Sequence, residues 1–162
     1  MEDLYLGIDP STTSTGYAVV NSKLELIEYG KVVPENISKE LTPAEEMLVQ
    51  FDAIKALLLK YPFKKVLCED QFFGENVDTL KKLSRVTGMF LVLSAQHELE
   101  IDLIYPSSWR KVYHGTGKAK KRDTCKKVNE DYGLKLRVTK DNDISDAIGI
   151  AVTAAKVDAQ GE

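Results

Sequence analysis

Residues 4–21, LYLGIDPSTTSTGYAVVN, hold two short apolar runs separated by a turn rich in Ser and Thr, which reads as a pair of neighbouring antiparallel strands. The first run ends on Asp9-Pro10, so a carboxylate stands at the tip of an otherwise apolar strand. A charge leaving such a strand is costly unless something compensates it, and this makes Asp9 the residue to explain.

The rest of the chain alternates strands and helices. Leu24 to Val33 alternates apolar and polar residues as a half-wet third strand. Thr42 as N-cap, Pro43 at the first helical position and Glu45 closing a capping box start a helix with Ala44, Met47, Leu48, Phe51, Ile54 and Leu58 at helical spacing. Lys64 to Asp70 is a fourth strand, and Val77 to Glu98 a long helix with Leu80, Leu83, Phe90 and Leu91 on its apolar side. IDLIYP is a fifth strand ended by proline. Two further helices follow, Lys121 to Tyr132 with Gly133 as C-cap and Ile144 to Val157. This order predicts an α/β fold, a mixed sheet covered by helices.

At 162 residues and 43% hydrophobic, the chain suits one domain over residues 1–162. Its apolar runs fall short of a bilayer span and its start is acidic, so the expected setting is cytoplasmic, with no membrane partner. Cys68 and Cys125 have no metal-ligand spacing and read as reduced core residues. The net charge of −3 hides a segregation: Arg110 to Lys127 carries +7, and the other 144 residues sum to −10. A one-sided cluster beside the glycines of HGTGKAKKR behaves as a polyanion contact, with a solvated loop as the plainer reading.

Three more acids join Asp9. Glu69 follows the apolar VLC at the end of the fourth strand, and Asp143 and Asp146 lie three apart at the start of the last helix, at the edge of the stripe formed by Ile144, Ala147, Ile148 and Ala151. Each has a plain alternative: an Asx turn for Asp9, a lysine pair for Glu69, an N-cap for Asp143 and dipole complementation for Asp146. Together, four carboxylates without His or Cys make a hard-oxygen site suited to Mg²⁺ or Mn²⁺.

GIDPSTTSTGYAVV, CEDQFF and DISDAIGIA, in this order along nearly the whole chain, resemble the three motifs of the RuvC-type Holliday junction resolvases, of the ribonuclease-H-like superfamily. The resemblance implies a ribonuclease-H-like fold with a five-stranded mixed sheet flanked by helices. It also implies Asp9, Glu69, Asp143 and Asp146 as metal-binding catalytic acids, two Mg²⁺ ions with Mn²⁺ able to substitute, a homodimer, and paired nicking of four-way DNA junctions in recombination and repair. Lys121, with Arg110 and Lys118, matches the family's basic DNA contacts, and Phe72 the place of its base-contacting aromatic; a core role is the alternative for Phe72 and for Phe73. The long helix from Val77 is the expected dimer interface. Trp109 reads as a packing residue.

The chain departs from the family pattern at Asp-Pro-Ser, where many bacterial members carry Asp-Pro-Gly, and between Gly115 and Asn142. These departures leave cleavage preference and any branch-migration motor open, and the first motif resembles bacteriophage members. Competing readings are a nuclease for forks or RNA, a non-catalytic junction binder, and an actin- or sugar-kinase-like ATPase. The last needs a second glycine-rich phosphate loop, which DNDISDAIG does not supply.

Overall fold

The structure is a computed structural model that describes residues 1–35, 38–70, 74 and 76–161. Its strands are β1 (Leu4–Asp9), β2 (Thr15–Asn21), β3 (Leu26–Val32), β4 (Phe63–Glu69) and β5 (Ile101–Ile104). They form one sheet in the order β3-β2-β1-β4-β5. β1 pairs antiparallel with β2 and parallel with β4, so the sheet is mixed, as the sequence predicts.

Helices cover both faces. α1 (Pro43–Lys60) and α2 (Val77–Gln96) pack on one side over Leu6, Ile8, Val19, Val66 and Cys68. α3 (Pro106–His114), α4 (Lys121–Tyr132) and α5 (Val138–Gly161) pack on the other, over Tyr5, Ala18, Val20 and Leu67. The capping box at α1 is formed: the Glu45 N–H donates to Thr42 Oγ1 at 3.3 Å, and the Thr42 N–H to Glu45 Oε2 at 2.8 Å. Gly133 ends α4 in the left-handed region at φ 64°, as its place after Tyr132 predicts. Both cysteines are free and buried.

The differences from expectation include two element starts, an additional helix and one helix face. β3 starts at Leu26, because Leu24 turns the chain with φ 65°. Pro106 opens α3 at its first position, where the proline ring suits a helix and its missing N–H costs nothing. α5 starts at Val138, six residues before Ile144, and therefore Asp143 is neither a cap nor a first-turn residue. Leu91 of α2 is exposed, and the buried side of that helix runs through Val86, Thr87, Phe90, Leu93 and Ser94.

α5 is buried on every side from Ile144 to Ala155. Two glycines let it approach the sheet. A methyl group at Gly7 would stand 2.4 Å from the Ala147 carbonyl oxygen, and one at Gly16 would stand 2.0 Å from that of Asp143. Gly16→Ala is expected to push α5 outward and destabilise the protein at the upper end of the roughly 1–3 kcal/mol typical of overpacking. Its melting temperature should fall by roughly 6–12 °C; an unchanged value in a thermal scan would show that α5 does not rest on this contact.

Candidate active site

Strand alternation aims the first two acids. Tyr5, Gly7 and Asp9 of β1 face α5, and Leu67 and Glu69 of β4 face the same way. The parallel register pairs Ile8 with Cys68, which sets Asp9 next to Glu69 in adjacent strands. Asp9 also pairs with Gly16, the residue against which the Asp143 backbone rests. The close approach that Gly16 permits thus brings Asp143 and Asp146 of α5 over the tips of β1 and β4.

The loop after Asp9 is held by its own hydroxyls. Ser11 Oγ accepts from the N–H groups of Thr13 (3.2 Å) and Ser14 (3.3 Å), while the Thr15 hydroxyl accepts from the Ser11 N–H and donates to the buried Gln50. A cavity of about 320 Å³ opens beside this loop, lined in part by Thr12, Thr13, Lys82 and Arg85.

Asp9 is 7% exposed and Asp146 2%. Burial, reinforced by Glu69, Asp146 and Asp143, pushes the Asp9 carboxyl well above the usual range. Asp146 is pushed up to about 7, by burial first and then by Glu69, against the pull of Arg110 and Lys121. Burial also raises Glu69, opposed by the Trp109 indole and the two cations, and it raises Asp143, opposed by the buried Ser14 hydroxyl and Lys121. Each acid is thus within electrostatic reach of at least one other, and all four of Lys121.

Arg110 Nη2 lies 4.0 Å from Asp146 Oδ2, and the guanidinium packs 5.2 Å from the Trp109 ring centroid. Trp109 Nε1 donates to Glu69 Oε2 at 2.6 Å. Lys118 is exposed on the loop before α4 and forms no ion pair with the acids among the described residues. Phe72 and Phe73 lie outside the described residues. The sequence reading missed the contact of Trp109 with the site. No local signal could have found it, because the contact joins residues 40 apart in sequence.

The donor set suits a hard divalent cation. All four candidates are carboxylates, they raise one another's proton affinity, and Asp146 Oδ1 is buried without a hydrogen-bond partner. Among the described residues no three of these side chains stand close enough together to hold a metal ion as they are. An ion such as Mg²⁺ keeps waters and takes substrate phosphate into its shell.

The family model described as crossover junction endodeoxyribonuclease RuvC matches residues 5–154. The chain belongs to the RuvC family. A curated RuvC of Treponema denticola is 30% identical over 97% of this chain and 88% of its own length, and that of Helicobacter pylori 32% identical over 93% and 95%. These relatives are bacterial and lend no support to the bacteriophage likeness of the first motif. Among solved structures, Thermus thermophilus RuvC in complex with a Holliday junction substrate superposes with TM-score 0.83 at 23% identity, over 98% of this chain and 96% of that one. The yeast mitochondrial Holliday junction resolvase gives TM-score 0.63 at 13% identity, over 96% and 80%. These likenesses show the RuvC fold, which is ribonuclease-H-like. No helix among the described residues is long and apolar enough to cross a membrane.

The raised carboxyls set a pH dependence for the metal-free protein. Between the ordinary aspartate value of 3.8 and about 7, the unfolded chain gives up a proton that folded Asp146 keeps. Stability contributed by that protonation is present below this window and is lost as pH rises through it. Metal-free protein should therefore melt at a higher temperature near pH 5 than near pH 8, and Asp146→Asn should flatten the slope. The same slope in the variant, measured by calorimetry, would remove Asp146 as its source.

Proposed function

We propose that the protein is a structure-selective endodeoxyribonuclease that resolves four-way DNA junctions by paired, metal-dependent nicks, acting in the cytoplasm in recombination and repair. The observation that carries this reading is the meeting of four mutually repelling carboxylates beside Arg110 and Lys121 in a chain of the RuvC family.

Asp9, Glu69, Asp143 and Asp146 would hold Mg²⁺, two ions per site, with Mn²⁺ able to substitute. Such ions, when bound, supply an activated water and stabilise the leaving oxygen of the phosphodiester. The chain's own residues do the rest. Asp9, whose carboxyl is raised by Glu69, Asp146 and Asp143 alike, would be the common neighbour of the other three acids in holding the metal. Burial excludes bulk water, which strengthens each electrostatic interaction in the site. Arg110 and Lys121 offset the acids' repulsion of a DNA phosphate, and Lys118 extends the basic surface along the loop. Phe72 is proposed to contact a base at the junction.

Pairing of the nicks calls for two copies. α2 leaves Val77, Leu91 and Val92 exposed, with Gly88 open to its surroundings, and this supports α2 as a two-fold interface.

The reading is tested with a labelled four-way junction and a matched linear duplex, each with Mg²⁺ or chelator. Paired nicks restricted to the junction and dependent on metal are expected; equal cutting of the duplex, or none of either DNA with Mg²⁺ or Mn²⁺, would refute it. Asp9→Asn should slow nicking by roughly 100-fold or more while leaving junction binding intact, and nicking at the normal rate would remove Asp9 from the site. Lys121→Ala should weaken junction binding and lower the salt slope by about 1, whereas unchanged affinity at moderate salt would end its role as a phosphate contact. In the ultracentrifuge at micromolar concentration a dimer is expected, and Leu91→Glu with Val92→Glu should give monomer; a wild-type monomer would contradict the α2 interface.

A further inference from the structure

Trp109 is the one tryptophan of the chain and is fully buried. Its ring sits where only a glycine leaves room: a methyl group at Gly149 would stand 2.7 Å from ring atom Cζ3. Its backbone carbonyl lies 3.3 Å from the Thr153 hydroxyl of α5, whose single hydrogen lies between it and the nearer Gly149 carbonyl at 2.8 Å. Ring and backbone are therefore both fixed against α5, and the remaining polar atom, Nε1, points to Glu69 Oε2 at 2.6 Å. The next residue, Arg110, reaches Asp146 on α5.

One turn of α3 thus touches acids supplied by two different elements, β4 and α5. Glu69 is the last residue of β4 and pairs with Ile104 of β5, which fixes its backbone and leaves the direction of its carboxylate to side-chain contacts. A carboxylate with free rotamers loses entropy when it must hold one geometry, and a donor locked by packing removes that loss in advance.

We propose that Trp109 is a positioning residue of the nuclease site, its indole N–H holding the Glu69 carboxylate in the orientation that receives the metal ion. The inference rests on the proposed nuclease function for its consequence, and on the Trp109–Glu69 contact alone for its geometry. A phenylalanine would keep an aromatic ring there, smaller and without the N–H.

Because there is a single indole, ¹⁵N-labelled protein gives a single indole cross-peak, which reports this hydrogen bond without any DNA. In metal-free protein the peak is expected at a hydrogen-bonded position, to move toward the free-indole position in Glu69→Gln, and to move on titration with Mg²⁺ in the wild type only. Trp109→Phe keeps a ring and removes the donor. It should bind the junction in chelator as the wild type does, cut it roughly 10- to 100-fold more slowly in a single turnover, and need more Mn²⁺ for half-maximal rate. An indole peak at the same position in the wild type and Glu69→Gln would overturn the proposal, as would Trp109→Phe cutting at the wild-type rate with an unchanged Mn²⁺ requirement. If Trp109→Phe does not fold, the indole shift in Glu69→Gln decides alone. A wild-type protein that cuts no junction refutes the nuclease reading, and the indole shift still reports separately on the contact.

Discussion

The seating of α5 on the sheet is the contact on which the site depends. Helix backbone meets strand backbone at Gly7 and Gly16, with no side chain between them, so the axis of α5 lies closer to β1 and β2 than any larger residue would allow. That closeness is what carries Asp143 and Asp146 to Asp9 and Glu69. A nearly continuous apolar surface on α5, covered by the sheet on one side and by α3 and α4 on the other, supplies the burial that holds it there.

The same seating concentrates negative charge in a dry place. Asp9 and Asp146 are more buried than carboxylates ordinarily are, and their proton affinities rise because burial and neighbouring acids both disfavour ionisation. Arg110 and Lys121 lessen this and do not cancel it. The excess is a cost to folding that a divalent cation would relieve, which ties the stability of the chain to the ion its proposed chemistry needs. Strain of this kind at a site, held by a well-packed scaffold, is common in proteins whose function asks for an arrangement that folding alone would not choose.

Much of this was legible in the sequence because the physical signals were local. The β1–β2 hairpin showed in two apolar runs around a Ser/Thr turn, α1 in its capping box, and the end of α4 in Gly133. α3 was not legible: nine residues with Pro106 at the head look like the end of a strand until the tertiary contact of Trp109 with α5 is known. The start of α5 was misplaced because Val138 to Asp143 is polar, and its helical state comes from continuing a helix anchored elsewhere. Among the candidate site residues, the places of Asp9 and Glu69 at strand ends and the three-residue spacing of Asp143 and Asp146 were the local signals, and the family motifs joined them into one set. The Trp109–Glu69 hydrogen bond joins residues 40 apart in sequence, and no pattern within either segment encodes it.

The central claim is that Asp9, Glu69, Asp143 and Asp146 form one divalent-metal site. It is tested most directly by anomalous diffraction from crystals of the protein soaked in Mn²⁺, with and without junction DNA. Manganese peaks bounded by these four carboxylates, stronger when the DNA phosphate completes the shell, are the predicted result. Well-ordered carboxylates with manganese absent, or bound only elsewhere on the surface, would contradict the account.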